Sequence, residues 1–187
     1  MPTVERKNAA KKERKMQALV IVSSRTGNTR IVAHAAADAL GAPMVTTEKY
    51  LADPNAYRTA DPVLLGFWND RGIAPEDIQA VAQTLVGKRL GLFATMGGDP
   101  ASPRARAWME KVSVELAALG RENTIVTTWL GRGRIDPALF ERMTAAMGGA
   151  VSPEREERRK AAETHPDRLD CLAVAEHFTS AFVKEAK

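Results

Sequence analysis

Cysteine occurs once in the chain, at Cys171. An internal disulfide is thereby excluded, and a reducing compartment is expected. Histidine is nearly as scarce: His34, His165 and His177 are the three in the chain, and they are scattered. One cysteine and three dispersed histidines lack the spacing of a zinc site, so no metal centre is read from them. No apolar run approaches the ~20 residues of a membrane span, and no apolar stretch typical of a secretory signal opens the chain. The expectation is a cytoplasmic protein with no membrane segment. Aromatic residues make up only 5% of the chain, and residues 1–15 contain none.

Charge of one sign is concentrated in that aromatic-free stretch. Residues 1–15 hold six Lys/Arg and two Glu, whereas residues 16–187 hold 21 basic and 21 acidic side chains. The formal charge of +4 therefore belongs to a basic tail. The tail has no apolar periodicity and reads as disordered. With no ring to stack on a base, it does not read as a nucleic-acid binder. Residues 16–187 read as one domain, and 44% hydrophobic residues suffice for a core.

The most informative stretch is Ser23-Ser24-Arg25-Thr26-Gly27-Asn28-Thr29. Before it runs Gln17 to Val22, apolar and rich in β-branched residues, which reads as a strand. After it, Arg30 to Leu40 reads as a helix. A loop at a strand-to-helix turn aims backbone N–H groups and the positive end of the helix dipole at whatever lies above. Gly27 can adopt φ > 0. Ser24, Thr26 and Thr29 add hydroxyls, and Asn28 adds an amide. A phosphate suits this donor set. The loop has neither the Lys of G-x-x-x-x-G-K-[ST] nor the glycines of G-x-G-x-x-G. A plain Ser/Thr-rich turn with an N-cap is the alternative.

Four further strands are expected at Met44–Thr47, Val63–Phe67, Arg89–Ala94 and Thr124–Trp129. Residues 48–60 read as irregular, with a turn at Asp53-Pro54-Asn55. Helices are expected over about 75–86 and 103–119, the second carrying Ala105, Trp108, Met109, Val112, Leu116 and Leu119 on one face. Asp136-Pro137 reads as N-cap and first residue of a helix that ends at Gly148-Gly149. Residues 152–164 form a charged surface helix. A last helix, Asp167 to Val183, turns Leu172, Ala175, Phe178 and Phe182 inward. Five short apolar strands separated by helices imply a parallel α/β sheet covered on both faces.

The segment Ser24-Arg25-Thr26-Gly27-Asn28-Thr29 resembles the flavodoxin phosphate loop, [ST]-x-T-G-x-T, in its expected place after the first strand. The resemblance implies a flavodoxin-like fold with strand order 2-1-3-4-5, and FMN held by its phosphate on this loop. Ligands in such sheets sit above the ends of strands one and three. The loop after strand three, Trp68-Asn69-Asp70-Arg71-Gly72, is where the family places an aromatic against the flavin ring and a peptide that bonds its N5. Trp68 alternatively serves as a core or rim aromatic. The loop after strand four, Thr95-Met96-Gly97-Gly98-Asp99, is where the family binds the other side of the ring. It alternatively serves only as the turn into the helix capped by Ser102-Pro103.

The loop Gly131-Arg132-Gly133-Arg134 should lie away from the phosphate and form a rim for a partner or a flexible solvated loop. Arg132 and Arg134 suit a cofactor phosphate, acidic groups of a partner protein or the propionates of a tetrapyrrole. His165 is assigned to a turn or cap. The G-F-W loop, the T-x-G-G loop and the His165-Pro166-Asp167 turn resemble flavodoxins associated with reductases, including the accessory flavodoxin type of bilirubin reductase. Two departures stand out: the core is charge-neutral where typical carriers are acidic, and Arg25 and Arg30 flank the phosphate loop. The resulting expectation is an FMN-binding electron-transfer protein that works with a partner reductase. The alternatives are a flavin reductase using NAD(P)H or a quinone, and a binding module that has kept the fold without the flavin.

Overall fold

The computed structural model describes residues 17–183; the basic tail read at 1–15 lies outside them. Five strands form one sheet: β1 (Leu19–Val22), β2 (Met44–Thr46), β3 (Val63–Trp68), β4 (Arg89–Met96) and β5 (Thr124–Arg132). Their order is β2-β1-β3-β4-β5, and every neighbouring pair is parallel. The central strands read as near-continuous apolar runs because both faces are covered; Val20, Ile21, Leu64, Leu65, Leu90 and Leu92 have no exposed surface.

Helices α1 (Asn28–Leu40) and α7 (Arg168–Phe182) pack on one face. Val32, Ala33, Ala36 and Ala37 give α1 a narrow, small-residue seam, which lets α7 approach closely. On α7 the inward residues are Val174, Phe178 and Phe182. Leu172, expected inward, is 55% exposed. Leu172 and Ala175 precede Phe178 by two successive steps of three residues, whereas the helix repeats every ~3.6, so the true stripe reaches Phe178 through Val174. Phe178 rests on the backbone of Gly91, where an added Cβ would lie 2.8 Å from its ring. Phe93 likewise fills the space beside Gly66.

The opposite face carries α3 (Glu76–Thr84) and α4 (Pro103–Leu119). Met109, Val112 and Leu116 are buried as the periodicity required, whereas Leu119 at the helix end is 37% exposed. Residues 48–60 are not irregular throughout. Thr46 caps a six-residue helix, α2 (Thr47–Ala52), and a 3₁₀ turn follows at Pro54–Tyr57. Tyr50 and Tyr57 stack there, with ring centroids 5.6 Å apart.

After β5 the chain adds α5 (Pro137–Ala146) and α6 (Pro153–Ala162) before α7. Asp136 and Ser152 cap them from the residue preceding a proline, as read from the sequence for Asp136. Gly148 and Gly149 follow α5 with φ of 91° and 82°. None of the helices among the described residues is long and apolar enough to cross a membrane.

Candidate functional site

A cavity of about 950 Å³ opens at the C-terminal ends of β1, β3 and β4. This is the switch point of the sheet, where the chain leaves β1 in one direction and β3 in the other. The loop between β1 and α1 forms its floor on one side. Gly27 stands there with φ +94°, and a Cβ on it would point into open space. The amides of Arg25, Thr26, Gly27, Asn28 and Thr29 have no acceptor among the described residues. Ser24 Oγ accepts from Arg30 N at 3.2 Å, so its own proton is free to be donated.

Two members of the loop are engaged differently from expectation. Asn28 Nδ2 donates to the carbonyl of Arg134 at 2.8 Å and, at 3.3 Å, to Thr26 Oγ1. Its amide is thus committed to another loop. Thr29 is 2% exposed, and its hydroxyl pairs with Thr95 Oγ1 at 2.9 Å. It ties the end of β4 to the start of α1, beneath the cavity.

The other expected loops converge on the same space. Arg25, Thr26, Asn28 and Thr29 line the cavity from the first loop. Trp68, Asn69, Arg71 and Gly72 line it from the loop after β3, and Thr95, Met96, Gly97, Gly98 and Asp99 from the loop after β4. Ser24, Gly27 and Asp70 shape the turns without lining the cavity. Asp70 and Ile73 exchange two backbone hydrogen bonds of 3.1 Å, and Arg71 and Gly72 between them have φ of 54° and 94°. That is the geometry of a tight two-residue hairpin turn. Asn69 Oδ1 accepts from Gly72 N at 2.7 Å and closes it. The Trp68 ring lies under the guanidinium of Arg25, 5.5 Å from its Cζ.

The loop after β5 departs most from expectation. It does not lie away from the β1–α1 loop. Gly133 presses against Asn28, and a Cβ there would come within 2.8 Å of Asn28 Nδ2. Gly133 N donates to Met96 O, and Arg134 N donates to His165 O at 2.7 Å. Arg134 lines the cavity. Arg132 does not; its guanidinium lies 3.5 Å from Asp99 Oδ1 and 3.5 Å from the carbonyl of Ala161. Sequence reasoning also missed α5 and α6 as cavity walls. Leu139, Phe140 and Met143 of α5 and Arg155 and Arg158 of α6 line it, together with Trp108 of α4. The periodicity of residues 137–146 marks a helix but says nothing about where it docks.

His165 occupies a cap, as assigned. Its Nδ1 lies 2.6 Å from Asp170 Oδ2, inside the Asp167/Asp170 capping box of α7. The box's backbone hydrogen bonds, chiefly from Asp170 N, hold the Asp167 carboxyl below its usual range. His177 has a partner that the sequence does not reveal: Nε2 meets Thr127 Oγ1 at 2.7 Å, and burial pushes its pKa down. Both residues stand outside the cavity lining.

The Flavodoxin domain family matches residues 19–179. A "Flavodoxin-like domain-containing protein BilS" of Clostridioides difficile (strain CD3) is 27% identical over 182 residues, covering 90% of this chain and 98% of that protein. A protein of the same description from Clostridium symbiosum (strain WAL-14163) is 26% identical, covering 91% of this chain and 98% of its own length. Among solved structures, a short-chain flavodoxin associated with a non-canonical PDU bacterial microcompartment superposes with a TM-score of 0.55. It shares 17% identity, over 92% of this chain and 99% of its own.

Proposed function

The chain belongs to the flavodoxin family, and from that premise we propose that it binds FMN and passes electrons to or from a partner protein. The observation that carries the reading is the β1–α1 loop, with a run of amides free of acceptors beside a positive-φ glycine at the edge of the cavity. A phosphate ester fits that donor set: the amides of residues 25–29, the hydroxyls of Ser24 and Thr26 and the dipole of α1 all favour an anion. Bound FMN supplies one- or two-electron redox chemistry that no side chain offers.

The protein's own residues bind, orient and exclude water. Trp68 offers one wall to a flat ring, and the Arg25 guanidinium sits over its indole. Met96, Gly97 and Gly98 form the opposing wall, where Gly97 lies close under Ile135 of the β5–α5 loop. Asn69 to Gly72 would meet the polar edge of the ring. Thr29 Oγ1 pairs with Thr95 Oγ1 at 2.9 Å and donates to the Phe67 carbonyl at 3.4 Å, which ties the ends of β4 and β3 to the phosphate loop. Arg25 and Arg134 line the cavity beside the β1–α1 loop, and their charge suits an anionic cofactor.

One observation favours a second reading. At about 950 Å³ the cavity is at the upper end of the usual ~300–1,000 Å³ for small-molecule sites. The wall built by α5 and α6 leaves room beside a flavin for a small-molecule substrate, nicotinamide or tetrapyrrole, as a flavin reductase requires. Anaerobic stopped-flow reduction of the FMN-loaded protein separates the two. The carrier reading expects slow, non-saturable bleaching by NADH or NADPH alone. Fast, saturable bleaching that Arg134→Ala abolishes would replace it with the reductase.

A further inference from the structure

Among the described residues, two buried side-chain polar atoms have no hydrogen-bond partner: Trp108 Nε1 and Arg155 Nη1. Both residues line the cavity. Native proteins pair nearly all their buried donors, and an exception calls for a ligand, an ion or a water. That the two exceptions share one cavity, on walls contributed by α4 and α6, points to a ligand reaching both.

Arg155 is held in place by its other atoms. Its Cζ sits 5.2 Å above the Phe140 ring, and Nη2 donates to Thr144 Oγ1 at 3.3 Å. These contacts account for the guanidinium face and one nitrogen, and leave Nη1 over. Arg159, one turn further along the helix and also over Phe140, is spent on Glu156 at 2.7 Å and Glu163 at 3.9 Å. Arg155 and Arg158 have no carboxylate within salt-bridge distance among the described residues. Two unneutralised guanidiniums therefore face the cavity beside an aromatic ring and the thioether of Met143. The β1–α1 loop, with its own run of free amides, needs neither of them for a phosphate.

We propose that Arg155 and Arg158 form a second anion subsite, separate from the Ser24–Thr29 loop, which takes the negatively charged group of a flat aromatic ligand lying against Phe140 and Met143. Arg155 turns its buried Nη1 onto that group, Arg158 supplies the second charge, and Trp108, by a like shift of its buried Nε1, supplies a neutral donor to a carbonyl or carboxylate oxygen. Guanidinium forks match carboxylates and phosphates equally well, so the class is fixed as an aromatic anion and the acid type is left to experiment. The inference rests on the FMN reading, which assigns the other anion site to the cofactor.

The test uses FMN-loaded protein and three probes: 2-naphthoate, 2-naphthyl phosphate and uncharged 2-naphthamide. Binding is followed through the flavin absorption and fluorescence, after the FMN affinity of each variant has been measured alone. Both anions, or the one whose acid type the site prefers, should bind about tenfold or more tighter than the amide. R155Q and R158Q should each remove most of that preference, leave naphthamide and FMN affinities unchanged, and R155K should restore part of it. Equal binding of anions and amide overturns the proposal, as do anions that displace FMN. So does an R155Q variant that weakens FMN itself, which would place Arg155 in the cofactor site. Inorganic phosphate binding as tightly as 2-naphthyl phosphate would contradict the aromatic part. If R155Q fails to fold, R158Q at an exposed position carries the same comparison. Failure of the wild type to bind FMN, seen before any probe is added, sinks the functional reading instead.

Discussion

Asn28 separates two accounts of how the phosphate loop works. If its amide touched a bound phosphate, Asn28→Ala would remove a charge-assisted hydrogen bond of ~1.5–3 kcal/mol, or about 10- to 150-fold in FMN affinity. The structure commits that amide to Arg134 O at 2.8 Å, with Thr26 Oγ1 a longer contact at 3.3 Å. Asn28 and Arg134 are linked by one neutral hydrogen bond, of ~0.5–1.5 kcal/mol net. Asn28→Ala is therefore expected to lower FMN affinity only about twofold to tenfold, through loosened loops. Gly133→Ala perturbs the same contact from the other side, because its Cβ would meet Nδ2 at 2.8 Å and Cβ at 3.0 Å of Asn28. Residues acting on one contact do not add. In the double variant Asn28→Ala/Gly133→Ala the contacts with Nδ2 and Cγ are gone and only that with Cβ at 3.0 Å remains, so its loss should stay close to that of Asn28→Ala alone. Fluorescence titration with FMN gives all three values. Additive losses, or a hundredfold loss in Asn28→Ala by itself, would refute the positioning role.

Three other expectations come from the same geometry. FMN should quench Trp68 and Trp108, which line the cavity, more strongly than Trp129, which stacks beneath Gly131 away from it; Trp68→Ala should weaken FMN about twofold to tenfold, from ~0.5–1.5 kcal/mol of stacking beyond area, and unchanged affinity and potential would remove Trp68 from the site. Burial lowers the His177 pKa, so the unfolded chain binds a proton more readily than the folded one. Stability from this group is full above the unfolded value of ~6.5 and falls as the pH drops below it. His177→Gln should flatten that part of the stability–pH curve, and a wild-type-minus-variant difference constant from pH 5 to 7.5 would contradict it. Phe178→Ala, at a fully buried ring packed on Phe93, Phe182 and Gly91, should cost about 3–5 kcal/mol in urea unfolding; a loss under 1 kcal/mol would mean that α7 does not seal this face.

What the sequence made legible depended on local signals. The alternation of apolar strands with helices was enough for a parallel sheet covered on both faces, and the strand order followed from the flavodoxin resemblance of the Ser24–Thr29 loop. The Asp136-Pro137 and Ser102-Pro103 caps and the Gly148-Gly149 stop are single-site chemistry and stand where they were read. The helix Thr47–Ala52 was missed because six residues carry too little periodicity, and its formation relies on the Thr46 cap and on Tyr50 reaching the core. The contact between Asn28 and Arg134 spans 106 residues, and nothing local announces it. The same holds for Phe140 on α5 and Arg155 and Arg158 on α6: their helices were predictable, their docking over the cavity was not. That is why the loop after β5 was read as a remote rim when it closes on the β1–α1 loop.

The most direct measurement of the central claim compares FMN with riboflavin, which differs only by the phosphate, on the same protein by calorimetric titration. The account predicts one FMN per chain and weaker riboflavin binding. It also predicts that Gly27→Val abolishes most of that difference, because a β-branched residue is strained at φ +94°. Equal affinity for the two flavins, or no binding of either, would contradict the assignment of Ser24–Thr29 as the phosphate site.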